Sequence, residues 1–300
     1  MPELAEVEFY RKRWDLAARG ERVVEVLLHD TKRVFAGVDT ALLRRKLLGA
    51  RLISSEAKAK QMLFRFGRDA WLGVHLGMSG ELSVAAAPYL PSKHDHLVLV
   101  VAPDLRTADQ HPRSGPPEGR ALTVRHALIY NDPRMFGRVQ FHIGKTAPLW
   151  WAKIAPSILS PQFTAAAVAD FLQRRARAPI KAVLLMQERF PGVGNWMADE
   201  ILWRAAIHPA RLAGSLSKSE VNVLCRECRR VCRQALDAIA GRGNSLPPDL
   251  NVNIPRTWLF KHRWRKGGKD PITGTPLAHA TIGGRTTCWS PARQKVGNKR

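Results

Sequence analysis

The first half of the chain alternates short apolar runs with polar turns, a spacing that predicts strands. Residues 23–28 are an apolar run, 61–66 mix apolar and basic side chains, and 70–75 lead into a glycine-rich turn at 77–80. Further strands are expected at 97–102, 122–130 and 139–141, with a loop rich in Pro, Gly, Asp and Arg at 103–120. Helical periodicity in this half is confined to 6–19 and 40–48. The pattern predicts a mostly antiparallel β domain with an N-terminal helix.

Beyond Ile143 the period changes. Pro148, Pro156 and Pro161 punctuate a linker, after which 164–177, 180–187, 196–206 and 218–240 carry apolar residues at helical spacing. Ser217, with Glu220 three residues on, forms a capping box before the last of these. Residues 241–256, which include Pro247, Pro248 and Pro255, predict a loop. Two turn-flanked runs near 275–277 and 286–289 are expected to pair as a small hairpin, so the fold class is α+β.

With 300 residues and 45% hydrophobic content, the chain can bury a core unaided, and two domains are the natural expectation. Charge changes the picture more: 48 Lys and Arg stand against 25 Asp and Glu, a formal net charge of +23. No segment approaches the ~20 consecutive apolar residues of a spanning helix. Glu3, Glu6 and Glu8 stand where a secretory signal would carry bases. Cys225, Cys228 and Cys232 crowd one short segment, a poor disulfide framework. A reducing compartment inside the cell is expected, with no membrane contact, and nucleic acid is the expected polyanion. The three cysteines also raise a rival metal hypothesis. They are interleaved with Val221, Leu224 and Val231 on one helix, so burial as small hydrophobes is expected, because ligands strung along a helix diverge too far for a closed site.

Pro2 carries the most chemical content. Removal of the initiator Met leaves it as a secondary amine titrating near ~7.7–8.0, partly free base at neutral pH. Attack of that amine on a sugar C1′ gives an iminium ion, which activates the adjacent C2′ proton for elimination. Glu3 is placed to act as a general acid on the sugar ring oxygen or as a proton shuttle, with Glu6 one helical turn further on. Taken alone, these residues favour a structural role, in which Pro fixes φ before a helix and the acids complement its dipole.

Landmarks along the rest of the chain favour the chemical role. They are Ala59-Lys60, His75-Leu76-Gly77-Met78-Ser79-Gly80, Asp132-Pro133-Arg134-Met135-Phe136-Gly137, Gly192-Val193-Gly194-Asn195-Trp196-Met197-Ala198-Asp199-Glu200 and Gly284-Arg285-Thr286-Thr287. Together with the opening Pro-Glu-Leu-Ala-Glu-Val-Glu, and in this order, they resemble the formamidopyrimidine-DNA glycosylase and endonuclease VIII family across essentially the whole chain. The resemblance implies a catalytic β-sandwich domain over residues 1–145, a linker over 146–160, a helix-two-turn-helix domain over 161–257, and a hairpin finger with a basic tail over 258–300.

On the family pattern Pro2 is the nucleophile and Glu3 the general acid, with Glu6 in support. Lys60, expected on a strand, holds the phosphate beside the lesion, with Lys58 as the alternative; Arg285 clamps the same phosphates through its forked guanidinium. Asn195 is expected to bind DNA, since the preceding glycines admit close approach and free N–H groups at a helix N-terminus attract anions; an ordinary N-cap is the alternative. Glu200 resembles the buried acid that supports this turn. Met78, Arg134 and Phe136 correspond to the trio that fills the stack where a damaged nucleotide is extruded. Without the resemblance, Met78 and Phe136 read as core residues.

The finger departs from the commonest family pattern. Many members place a Cys-x2-Cys pair on each side of the hairpin with Zn²⁺ between, but the aligned positions here are Asp270, Thr273, Ser290 and Arg293. Ser and Arg cannot replace thiolates in a closed tetrahedral site, so a zinc-free finger is expected, with no metal and no cofactor. The implied activity is a DNA glycosylase with AP lyase activity. It acts on double-stranded DNA carrying oxidised bases or abasic sites, as a monomer, in the bacterial cytoplasm or a eukaryotic nucleus. A damaged-DNA-binding protein of the same fold without turnover is the alternative.

Overall fold

The computed structural model describes residues 2–103, 125–265 and 267–296. Nearly all of the loop expected at 103–120, and the first three residues of the strand expected at 122–130, lie outside the described residues. Backbone contacts divide the chain into two units. One comprises Met1–Pro2, Val7–Ala57 and Gln61–Ala152, and the other Lys153–Arg300 together with Glu3–Glu6 and Lys58–Lys60.

The elements up to Ala152 are α1 (Leu4–Ala18), β1 (Arg22–Leu28), α2 (Thr40–Leu47), β2 (Leu52–Lys58), β3 (Gln61–Phe66), β4 (Ala70–His75), β5 (Glu81–Ala86), β6 (Asp95–Ala102), β7 (His126–Asn131), β8 (Arg138–Ile143) and α3 (Leu149–Ala152). The strands form two four-stranded sheets, ordered β1-β6-β7-β5 and β2-β3-β4-β8, the β-sandwich expected for this half. β6, rich in Val and Leu, is buried from Asp95 to Val101, as an interior strand must be. The sequence pattern did not reveal β2 and β5, two of the four edge strands, on which burial is patchy and polar residues intrude. Trp14 of α1 ties the sheets together: its indole N–H donates to the Ser83 carbonyl of β5 at 3.0 Å, and its ring meets Phe64 of β3 at 5.2 Å.

The chain crosses from one sheet to the other through two short turns. Residues 76–80 join β4 to β5, and residues 132–137 join β7 back to β8. His75 pairs with Arg138 and Glu81 with Asn131, so the two crossovers lie side by side. Between β2 and β3 the chain turns on Ala59, at φ 54°, and Lys60. Lys60 therefore stands at a hairpin tip and not, as expected, on a strand.

The second unit contains α4 (Ala165–Arg174), α5 (Ile180–Leu184), α6 (Asn195–Arg204) and α7 (Lys218–Ala235), followed by β9 (Ala278–Ile282) and β10 (Arg285–Trp289). α6 is buried along its length from Trp196 to Trp203 and forms the centre of this unit. The expected capping box starts α7: the Glu220 N–H donates to Ser217 Oγ at 3.3 Å, and the Ser217 N–H to the Glu220 carboxylate at 2.8 Å. The helix ends in a π-type turn over Leu236–Ala240, closed by Gly241 at φ 70°. The hairpin is present, but its first strand runs over Ala278–Ile282, three residues later than expected. Gly283 and Gly284 both have positive φ, 60° and 73°, giving a two-residue turn that pairs Ile282 with Arg285 and fixes the register.

Candidate active site

The first turn of α6 is occupied by a side chain from the other end of the sequence. The N–H groups of Gly194, Trp196 and Met197 donate to the two carboxylate oxygens of Glu3 at 2.8, 2.9 and 3.1 Å. Free donors at this helix start were expected to await a phosphate; instead they hold Glu3, the anion to which a helix N-terminus is suited. Glycine at 194 makes room for this contact, because a Cβ there would run into the Glu3 carboxyl carbon. Gly192 sits at φ 87°, and a Cβ on it would come within 2.8 Å of Leu4. Its carbonyl accepts the Leu4 N–H at 3.0 Å, which starts α1 beside the turn.

Glu3 is 2% exposed. Burial, reinforced by the neighbouring Glu6, pushes its carboxyl up to about 7, although Lys60 and the α6 N–H groups pull the other way. A carboxyl so placed is partly protonated at neutral pH and can donate a proton. Glu6 accepts from the Trp196 indole at 2.8 Å and from the Glu3 N–H at 3.2 Å, and burial raises it too. The charges of Glu3, Glu6 and Arg285 all act on Lys60, whose ammonium burial holds below its ordinary range. Asn195 is the first residue of α6, with Gly194 as the cap residue. The Asn195 side-chain amide donates to the Thr286 carbonyl at 2.8 Å, next to Arg285. Glu3, Glu6, Lys60, Asn195 and Arg285 are thus brought together, and Pro2 precedes Glu3 in the chain.

The supports of this turn went unrecognised in the sequence. Gln187 accepts the Gly192 N–H at 3.0 Å and donates to the Val193 carbonyl at 2.9 Å, spanning the turn like a brace. Lys181, fully buried, donates to the Asn195 carbonyl at 2.6 Å and to Asp199 at 2.5 Å. Asp199 also accepts from Arg263 and from the Cys288 N–H of β10 at 3.1 Å, so one buried carboxylate joins α5, α6 and the hairpin. Glu200 is buried as expected but does not support the turn. It accepts from Arg204 at 2.8 Å and from the Phe260 N–H at 3.1 Å, and not from the turn. The sequence signal available was the spacing itself, since Asp199 and Glu200 are adjacent acids on a helix with no exposed face.

Met78, Arg134 and Phe136 sit on the two crossovers of the first unit. Met78 is 39% and Phe136 46% exposed, which removes the core reading. The Arg134 guanidinium lies 4.7 Å from the Phe136 ring centroid. Beneath them the buried Asp132 carboxylate accepts from Ser79 Oγ of one crossover and from the Gly137 N–H of the other, both at 2.7 Å. A Cβ on Gly77 would collide with the Phe136 backbone, so glycine lets the two turns touch.

At the finger, the four positions where many members carry zinc ligands form a hydrogen-bonded network. The Asp270 carboxylate accepts from the Trp203 indole at 3.1 Å and from the N–H groups of Ile272 and Thr273 at 2.8 and 3.2 Å. The Arg293 guanidinium lies 4.9 Å from the Trp203 ring, and the Ser290 N–H donates to Gln294, which in turn donates to the Ile207 carbonyl. A carboxylate already committed to three donors, two hydroxyls and a guanidinium do not fit a tetrahedral zinc site. Among the described residues no group of three His, Cys, Asp or Glu is placed to hold a metal ion. Cys225, Cys228 and Cys232 are buried on α7, and burial pushes the Cys232 thiol up to about 12.

Comparison with known proteins follows the same outline. Residues 1–139 match the formamidopyrimidine-DNA glycosylase N-terminal domain, and residues 154–245 match the H2TH domain of the same family. The chain is 32% identical over 301 residues to the formamidopyrimidine-DNA glycosylase of Laribacter hongkongensis, covering 98% of this chain and 100% of that one. It is 27% identical over 299 residues to that of Arabidopsis thaliana, covering 100% of this chain and 72% of the relative. Among solved structures, MutM in complex with DNA containing carbocyclic 8-oxo-G superposes with a TM-score of 0.78 at 23% identity, over 98% of this chain and 100% of that one. The Lactococcus lactis Fpg bound to DNA containing an abasic site gives the same TM-score and identity, evidence of a shared fold. The chain belongs to the formamidopyrimidine-DNA glycosylase family.

Proposed function

We propose that this chain is a bifunctional DNA glycosylase and AP lyase of base excision repair, acting on DNA with oxidised bases or abasic sites. With Met1 removed, the Pro2 amine attacks C1′ of the damaged nucleotide and the bond from C1′ to the base breaks, its electron pair leaving with the base, which takes up the proton released from the Pro2 nitrogen. The Glu3 carboxyl donates its proton to the ring oxygen as the sugar opens, leaving an iminium between the Pro2 nitrogen and C1′. Loss of the C2′ proton then expels the 3′ phosphate, and a second elimination expels the 5′ phosphate. Lys60 and Arg285 hold phosphate oxygens beside the lesion, and the second proton of the Asn195 amide nitrogen serves the same purpose. Met78, Arg134 and Phe136 occupy the gap left by the extruded nucleotide.

One observation carries this reading: the carboxyl next to Pro2 is buried against the start of α6 and raised to about 7, a value suited to general acid chemistry at neutral pH. Among the described residues no helix is long and apolar enough to cross a membrane. The domain limits given above at 145, 160 and 257 belong to the same proposal. Borohydride reduction on abasic duplex tests it. A covalent complex is expected whose adduct maps to the Pro2 nitrogen. Binding without any trapped complex, or an adduct that maps to a lysine, would remove Pro2 from the reaction.

A further inference from the structure

The segment from Trp258 to Trp264 carries a row of aromatic rings that the proposed reaction does not use. Trp258 and Phe260 lie against Trp196 at centroid distances of 6.3 and 5.0 Å, and Trp264 meets Phe260 edge-on at 5.3 Å. Trp196 and Trp258 are buried, whereas Trp264, at the end of the row, is 61% exposed. Its indole is also held by the Arg263 guanidinium, 4.5 Å from the ring. Arg263 is fixed in turn, donating Nε and Nη2 to the buried Asp199 at 3.1 and 2.5 Å. Trp264 is therefore an exposed ring on a braced support.

Its surroundings specify the partner. Lys261, Arg265 and Lys269 accompany it, and no acid occurs between Trp258 and Lys269. The Arg263 carbonyl accepts from His279 of β9 at 3.0 Å, and His279 pairs with Cys288, three residues along β10 from Arg285. Three residues of strand span about 10 Å, so the ring lies within a few nucleotides' reach of the phosphate clamp. An exposed indole leaves much of its apolar surface in water. A rigid aromatic surface among cations suits a polyanion that carries flat rings, with bases stacking on the aromatic and cations holding the backbone.

We propose that Trp264 is a stacking platform for an unpaired base of the DNA strand gripped by Arg285, an inference that rests on the DNA-binding reading above. Bases within a duplex are covered on both faces by their neighbours, so the platform discriminates in favour of single-stranded or locally opened DNA around the lesion. The test uses the full chain and a fluorescein-labelled oligonucleotide carrying a tetrahydrofuran abasic analogue, presented as a single strand and as a duplex, with anisotropy as the readout. Trp264→Ala and Trp264→Leu are expected to weaken single-strand binding by about tenfold and to lower the ratio of single-strand to duplex affinity by nearly as much, whereas Trp264→Phe retains most of both. Should the alanine variant unfold, the leucine variant, which keeps an apolar side chain against Phe260, decides. Wild-type single-strand affinity in the alanine and leucine variants, or an equal loss on both substrates, would overturn the stacking role. Failure of the wild type to bind either substrate would instead overturn the DNA-binding reading.

Discussion

The first turn of α6 and the paired crossovers of the first unit place their functional side chains in opposite ways. At α6 the reactive carboxyl of Glu3 is buried and every carboxylate oxygen meets a backbone N–H. At the crossovers Met78, Arg134 and Phe136 project outward, and the buried group is the Asp132 carboxylate beneath them. The difference follows from the work proposed for each. A general acid must be desolvated for its proton affinity to match neutral pH, whereas a side chain that fills a gap in DNA must remain accessible until DNA arrives. Each region has a buried carboxylate that accepts backbone N–H groups: Glu3 those at the start of α6, and Asp132 that of Gly137 together with Ser79 Oγ of the facing crossover.

Substitutions separate these designs, and the largest effect is expected at Glu3. Glu3→Gln keeps an acceptor for the α6 N–H groups but cannot donate a carboxyl proton. Base excision in single turnover should fall by about 10²–10⁴-fold, with a much smaller loss of affinity for lesion duplex. Gly194→Ala is next: its methyl group and the Glu3 carboxyl would compete for one space, so a loss of about 1–3 kcal/mol in thermal or denaturant unfolding is expected together with impaired excision. Phe136→Ala should behave differently. Because the ring is exposed, unfolding should shift by no more than about 0.5 kcal/mol, while lesion-duplex binding in a titration weakens by about tenfold. The smallest effect is expected from chelation. EDTA should leave the melting temperature and duplex affinity unchanged, because Asp270, Trp203, Arg293 and Gln294 hold the finger by hydrogen bonds and ring contact. Stoichiometric zinc in purified protein would contradict that account.

Much of the fold was legible because its interior strands and long helices obey simple periods. β3 and β4 occupy the residues their patterns indicate, and α7 begins at its capping box. What escaped the patterns was governed by partners remote in sequence. β2 and β5 carry Ser, Glu and Ala where β1, also an edge strand, has an apolar run, so only their neighbours mark them as strands. The hairpin register depends on the Gly283-Gly284 turn and not on the apolar residues before it. At the site, Glu3, Lys60, Asn195 and Arg285 could be named from motifs, but their arrangement could not. That Glu3 fills the helix N-terminus in place of phosphate depends on a contact spanning 191 residues. Lys181, Gln187 and Asp199 carry no local pattern that marks them, and their roles emerge only from burial of Lys181 and Asp199 and from hydrogen bonding. Glu200 shows the converse, since its burial was foreseen and its partners were not.

The central claim is that Glu3 supplies a proton at neutral pH while the neighbouring Pro2 amine supplies the electron pair. The most direct measurement is the pH dependence of single-turnover base excision by wild type and Glu3→Gln. With the carboxyl near 7 and the amine near ~7.7–8.0, the acid form is lost as pH rises and the free amine as pH falls. Wild type should therefore show a bell with its maximum between those values. In Glu3→Gln the alkaline fall should disappear, so that the residual rate climbs with pH and levels off above about 8. A wild-type rate that continues to climb through that range, or a bell unchanged in Glu3→Gln, would contradict the role assigned to Glu3.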